Sequence, residues 1–175
     1  MMLALTDLVL DHGLLDKVRA VLAQHPTLTA NGFDDRGLPT RTNLLDYRGL
    51  CEVQGALDYL EGRRRTVAKA DSPGSYTLKH QAESWHRMHG REVYVSNGAF
   101  MVAAMIRGYG LYQRHSDGLN RAVGIHRADI VTREERKAQL NRPSRPDGAP
   151  SRKFGPVAPV SERLFAPSAI RTGQH

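Results

Sequence analysis

The stretch Ser75–Gly110, SYTLKHQAESWHRMHGREVYVSNGAFMVAAMIRGYG, decides how the rest of the chain is read. Thr77 is placed to cap a helix in which Leu78, Ala82, Trp85 and Met88 or His89 recur at helical spacing, leaving Lys79, Glu83 and Arg87 to turn elsewhere. Gly90 ends it. Glu92-Val93-Tyr94-Val95 is too short and too β-branched to continue a helix, and reads as an extended connector or a two-residue bridge strand. Ser96 then caps a second helix whose interior, Phe100 and Val102 to Ile106, is apolar almost all round. A helix tolerates that only when most of its surface is buried. Gly108 and Gly110 supply its stop. The second helix is therefore the expected centre of the core, with Trp85 and Phe100 packing across the angle between the two helices.

The residues Ser75, Tyr76, Leu78, Lys79, His80 and Glu83, followed by Tyr94 to Gly98, Phe100, Ala103, Ala104, Gly108 and Tyr109, spell S-Y-x-L-K-H-x-x-E and Y-V-S-N-G-x-F with a closing A-A and G-Y. This pattern resembles a segment of small uncharacterised proteins from bacteriophages and integrated elements of actinobacteria and proteobacteria. It covers about a fifth of the chain. The resemblance implies a mobile-element context and brings no activity with it.

Outside that stretch, 175 residues is a one-domain length with room for a modest core. No segment approaches the roughly 18 consecutive apolar residues of a membrane span, so no membrane partner is expected. The N-terminus lacks the basic region of a signal peptide, and the single cysteine, Cys51, permits neither an internal disulfide nor a Cys-based zinc site. A cytoplasmic protein is the expectation. The net charge of +7 is uneven: residues 1–60 carry 5 Lys and Arg against 8 Asp and Glu, residues 61–131 carry 11 against 6, and residues 132–175 carry 9 against 4. The basic middle and end favour an acidic partner such as nucleic acid; a solvated basic surface is the plainer alternative.

Leu14, Leu15, Val18, Val21 and Leu22 predict an amphipathic helix ending before Pro26, with a short helix over residues 3–10 before it. Turn formers from Thr27 to Thr42 predict a loop. Thr42 or Asn43 is placed to cap a helix through Leu50, Val53, Leu57 and Leu60, which Gly49 and Gly55 weaken by roughly 1 kcal/mol each relative to Ala. Arg63-Arg64-Arg65 and Lys69 follow in a linker ending at Ser72-Pro73-Gly74; the arginines suit either the negative end of a helix dipole or phosphate groups. Ala122 to Ile125 predicts a strand pairing with Val93 to Val95. Thr132 to Leu140 is charged and helix-compatible. From Asn141 onward, six of the nine prolines and sparse apolar residues predict an extended or disordered basic tail.

His80, Glu83, His86 and His89 contain a Glu-x-x-His spacing found in carboxylate-bridged metal sites, but those need the motif twice and no second copy is present. Steps of three also drift around a helix at about 100° per residue, so the four side chains cannot share one metal. A polar helix face with a packed histidine is the preferred reading. No nucleophile elbow, phosphate-binding glycine loop or zinc-finger spacing is present, Cys51 lacks an activating neighbour, and no cofactor is expected. Two helices joined by a short turn suggest a helix-turn-helix, yet the second offers little beyond Asn97, Ala99 and Arg107 to base edges.

The sequence thus predicts a mainly α-helical domain over residues 1–131 with a minor two-stranded element, and a charged stretch with a Pro-rich basic tail over residues 132–175. Its expected role is that of an accessory protein of a phage or mobile element that contacts nucleic acid through the phosphate backbone. The cations assigned to it are Arg63, Arg64, Arg65, Lys69, Lys79, Arg87, Arg91, Arg142, Arg145, Arg152 and Lys153. The alternative is a non-catalytic protein-interaction factor, an inhibitor of a host system or a virion or complex component, using its tail and helical surface. A metal-dependent enzyme built on the His-rich helix is a third and weaker reading.

Overall fold

Among the described residues, apolar periodicity and helix stops mark off four α-helices, α1 (Leu14–Gln24), α2 (Tyr47–Leu60), α3 (Ser75–Met88) and α4 (Asn97–Ile106). The computed structural model describes residues 8–114 and 118–130. The expected strand-poor helical domain is observed, with two small two-stranded sheets instead of one. Most of the helix predicted over residues 3–10 lies outside the described residues, as do Thr132 to Leu140 and the tail. No helix among the described residues is long and apolar enough to cross a membrane.

The core forms around α4, because no face of this helix is polar enough to be left in water. Ala99 through Ala104 are all 0% exposed. α2 packs along it, and α1 and α3 close the remaining sides. Each large side chain buried this completely, such as Phe100 or Leu57, contributes about 1.5–3 kcal/mol. Trp85 and Phe100 are bridged by Tyr59 of α2, whose ring centroid lies 6.3 Å from that of Trp85 and 6.2 Å from that of Phe100. The expected direct packing of Trp85 on Phe100 therefore becomes a three-ring cluster, with Trp85 only half buried.

Helix starts follow side-chain oxygens placed beside orphan N–H groups. Ser96 caps α4 as expected, its Oγ accepting from Ala99 N–H. For α2 the cap is Asp46, whose carboxylate accepts from Gly49 N–H at 2.7 Å; Asn43 and Thr42, predicted for that role, are used otherwise. Asn43 Oδ1 holds a turn through Leu45 N–H, and Thr42 donates its hydroxyl to the buried Glu52. α3 starts at Ser75 after Gly74, with no side-chain cap, which leaves Thr77 inside the first turn.

The predicted loop over 27–42 contains a tight hairpin, β1 (Leu28–Thr29) against β2 (Gly32–Phe33), registered Leu28 to Phe33. Its tip docks on the first turn of α4, where Gly98 N–H donates to Ala30 O at 2.9 Å. Approach is so close that a Cβ on Gly98 would overlap the carbonyl of Thr29. Gly55, predicted only to weaken α2, also marks a close approach: a Cβ there would lie 2.5 Å from Val93 Cγ1 and 3.4 Å from His86 Nε2.

The second sheet corrects an expected pairing. β4 (Ala122–Val123) pairs with β3 (Leu111–Tyr112), which follows directly from the end of α4, and not with Val93 to Val95. The connector's N–H groups go elsewhere: Val95 N–H donates to Glu83 Oε1 at 3.2 Å and Ser96 N–H to Glu52 Oε2 at 3.1 Å. Val95 N–H, which a pairing strand would draw on, is thereby taken by a carboxylate. The other flank of the 121–126 segment is taken by the linker, through Ser75 N–H to Arg121 O, Thr66 N–H to Gly124 O and His126 N–H to Arg64 O.

Two consequences are measurable. Gly98→Ala should lower stability by at least about 2 kcal/mol, because backbone must move to admit one methyl group; thermal melts should show the midpoint falling by several degrees. His86 is fully buried and its Nε2 donates to Gly55 O at 2.8 Å. Burial pushes its pKa below the ordinary 6.5, outweighing the raising effect of the Gly55 carbonyl. The folded state then resists a proton that the unfolded chain accepts, so stability should be full above pH 6.5 and decline as pH falls from there toward the depressed value. Denaturant midpoints measured from pH 7.5 to 5 should fall in the native protein and fall less in His86→Gln.

Candidate nucleic-acid interface

The pairing of the linker with residues 124–127 collects cations from distant parts of the sequence. Arg65 forms an antiparallel bridge to Ile125, and Arg64 O accepts from His126 N–H. Arg65 Nη1 donates to Arg107 O at 3.2 Å, which brings the end of α4 to the same edge. Lys69, His126 and Arg127 line a recess of about 500 Å³ together with Asp71, Ser72 and Ile130. His126 and Arg127 were not singled out from sequence, since nothing local announces that residues 124–127 lie against residues 63–69.

The three consecutive arginines divide their roles. Arg63 is half buried, its guanidinium carbon 3.7 Å above the Tyr59 ring and its Nη1 donating to Tyr59 O. Here the structural use that the sequence left open is visible, since the guanidinium closes the C-terminal end of α2. Arg64 forks onto Asp129, with Nε to Oδ2 at 3.2 Å and Nη2 to Oδ1 at 2.9 Å. The Arg64 side chain, and then its backbone N–H, hold the Asp129 carboxyl down at about 2. This exposed pair is neutral as a unit. Arg65 remains exposed, and Lys69 and Arg127 have no side-chain partner among the described residues.

The cations of α3 are not part of that edge arrangement. Lys79 is only 5% exposed and its Nζ donates to Glu83 Oε1 at 3.2 Å, while His80 Nδ1 donates to Glu83 Oε2 at 2.8 Å. Glu83 thereby binds Lys79, His80 and the Val95 N–H at once. Arg91 lies 3.6 Å from Asp58, and Arg87 is exposed with no partner among the described residues. Arg142, Arg145, Arg152 and Lys153 lie outside the described residues. The four residues considered for a metal separate: His86 faces Gly55, His89 Nδ1 donates to Trp85 O, and only His80 meets Glu83. No group of three or more metal-ligating side chains is assembled among the described residues. Cys51 is buried.

Comparison with known proteins finds no matching family, no matching curated protein and no matching solved structure, so the arrangement of these side chains carries the functional reading.

The Lys79–Glu83 pair gives a direct test of the α3 geometry. Glu83→Gln leaves the Lys79 ammonium buried without its counter-charge and should destabilise by about 3–5 kcal/mol. Lys79→Met combined with Glu83→Gln should recover much of that loss in chemical denaturation. Equal stability of Glu83→Gln and the native protein would place Lys79 in water instead.

Proposed function

We propose that this helical domain contacts nucleic acid through the phosphate backbone, along the edge where residues 63–69 meet residues 124–127. The observation that carries the reading is the gathering of Arg65, Lys69, His126 and Arg127 at one edge, with Asp129 already committed to Arg64. Backbone phosphates are recognised by such clusters without regard to sequence, and the overall charge of +7 extends the attraction beyond contact distance. α4, which a helix-turn-helix would lay in the major groove, is instead the buried centre of the fold. Base-specific reading by that helix is therefore absent from the proposal. The resemblance of the Ser75–Tyr109 segment to phage and integrated-element proteins supports an accessory role in a mobile element.

Fluorescence anisotropy with single-stranded and duplex probes, taken from 50 to 300 mM salt, tests the proposal. Log affinity should fall linearly with log salt, by about 0.9 per duplex phosphate neutralised. Lys69→Gln with Arg127→Gln should shallow that slope by about 1.8 and weaken all sequences alike. Absence of binding to every probe near physiological salt would overturn this reading in favour of a protein-interaction factor.

A further inference from the structure

The recess at the basic edge holds more than cations. Part of it is the turn from Lys69 to Ser72, which is closed twice over: Ser72 N–H donates to Lys69 O at 3.1 Å, and Lys69 N–H to Ser72 Oγ at 2.9 Å. Arg114 Nη2 donates to Ser72 O and anchors the same turn. Lys69 and Asp71 reach the recess from this turn, His126 and Arg127 from the neighbouring segment. Val67 and Ile130 give the lining an apolar part, and Val67 is 72% exposed, an aliphatic side chain left in water.

Asp71 supplies the second observation. Lys69, Asp71 and Arg127 line one recess and are exposed, yet none makes an ion pair or a side-chain hydrogen bond among the described residues. Two cations and a carboxylate kept apart match a ligand that carries an anion and, elsewhere, a hydrogen-bond donor. A carboxylate only accepts, so a continuous row of phosphates has no use for Asp71 and is repelled by it. A bare phosphate would leave both Asp71 and the apolar lining unused. The volume of about 500 Å³ falls within the roughly 300–1,000 Å³ of small-molecule sites. A terminal phosphate monoester carries about −1.5 to −2 charges at pH 7, more than an internal diester, and so suits Lys69 and Arg127 together.

We propose that the recess takes a single 5′-phosphorylated ribonucleoside, with its phosphate held by Lys69 and Arg127, a ribose hydroxyl donating to Asp71 and the base lying against Val67 and Ile130. The ribose hydroxyls are the donors that every such nucleotide carries, whatever its base. A free nucleoside monophosphate and the 5′ end of an RNA strand present the same chemistry. The inference rests on the nucleic-acid reading above, to which it adds a preferred end. Internal phosphates meet the same cations with less charge to offer.

Anisotropy with the full chain compares a 12-nucleotide RNA bearing a 5′-phosphate, the same RNA with a 5′-hydroxyl, and the phosphorylated RNA with a 2′-deoxyribose at its first nucleotide. Adenosine 5′-monophosphate and phosphoserine serve as competitors. The substituted residues are exposed, and thermal melts check that each variant folds. The 5′-phosphate should tighten binding about 10- to 100-fold, and the first 2′-hydroxyl about 10-fold. Lys69→Gln with Arg127→Gln should erase the first ratio; Asp71→Asn should erase the second and keep the first. Equal affinity with and without the 5′-phosphate, at the full salt slope, would overturn the nucleotide recess and leave the backbone reading standing. Adenosine monophosphate binding that the double variant abolishes, without salt-dependent strand binding, would do the reverse. Indifference to the first 2′-hydroxyl would overturn the role given to Asp71. Phosphoserine competing as well as adenosine monophosphate would overturn a nucleotide site in favour of a phosphopeptide one. A protein that binds none of these probes has neither site.

Discussion

Two buried or nearly buried carboxylates, Glu52 and Glu83, accept the N–H groups of consecutive residues, Ser96 and Val95, and this is the constraint on which the rest of the structure depends. The connector from α3 to α4 is only eight residues long and must reverse direction while leaving Val93 and Val95 in the core. Its backbone cannot be left unbonded there. Glu52, from α2, and Glu83, from α3, satisfy it from opposite sides and so fix where α4 begins. Each carboxylate also meets a cation, Arg48 at 3.6 Å and Lys79 at 3.2 Å, which limits the cost of holding the charges out of water.

Placing α4 in this way decides what packs at each of its ends. Gly98 accepts the β1–β2 tip without a side chain in the way, and the tip carries Asn31 toward Asn97. At the other end, Tyr109 tucks under the end of α2, its hydroxyl donating to Arg63 O at 2.7 Å, and β3 then leaves along β4. β4 is pinned between that strand and the linker. The arginine run is held to the 124–127 segment by backbone bonds, and Arg64 adds a charged fork onto Asp129 just beyond it.

What the sequence made legible was the part governed by local rules. The all-apolar run after Ser96 announces a buried helix because no polar face is available, and the stop after α4 and the cap before it were readable for the same local reason. The competition for capping α2 was not, since Thr42, Asn43 and Asp46 are all competent and the choice falls to which oxygen reaches the first turn once Glu52 has claimed Thr42. Pairing of residues 122–125 was assigned to Val93 to Val95 on β-propensity alone. Propensity carries no information about the two glutamates that take the connector's N–H groups, and these come from 12 and 44 residues away. Arg63 and Arg64 show a related limit: three arginines in a row read as one cluster, but successive side chains project in different directions and find Tyr59 and Asp129 separately.

The same separation explains why Lys79 is no part of a phosphate track. An ammonium that contacts phosphate without cost is exposed and unpaired, as Lys69 is. Lys79 is instead held by Glu83 against two tyrosine faces, so its charge is partly cancelled and its position fixed. That makes it a poor electrostatic lure. Attraction over longer distances falls to the exposed cations at the linker edge.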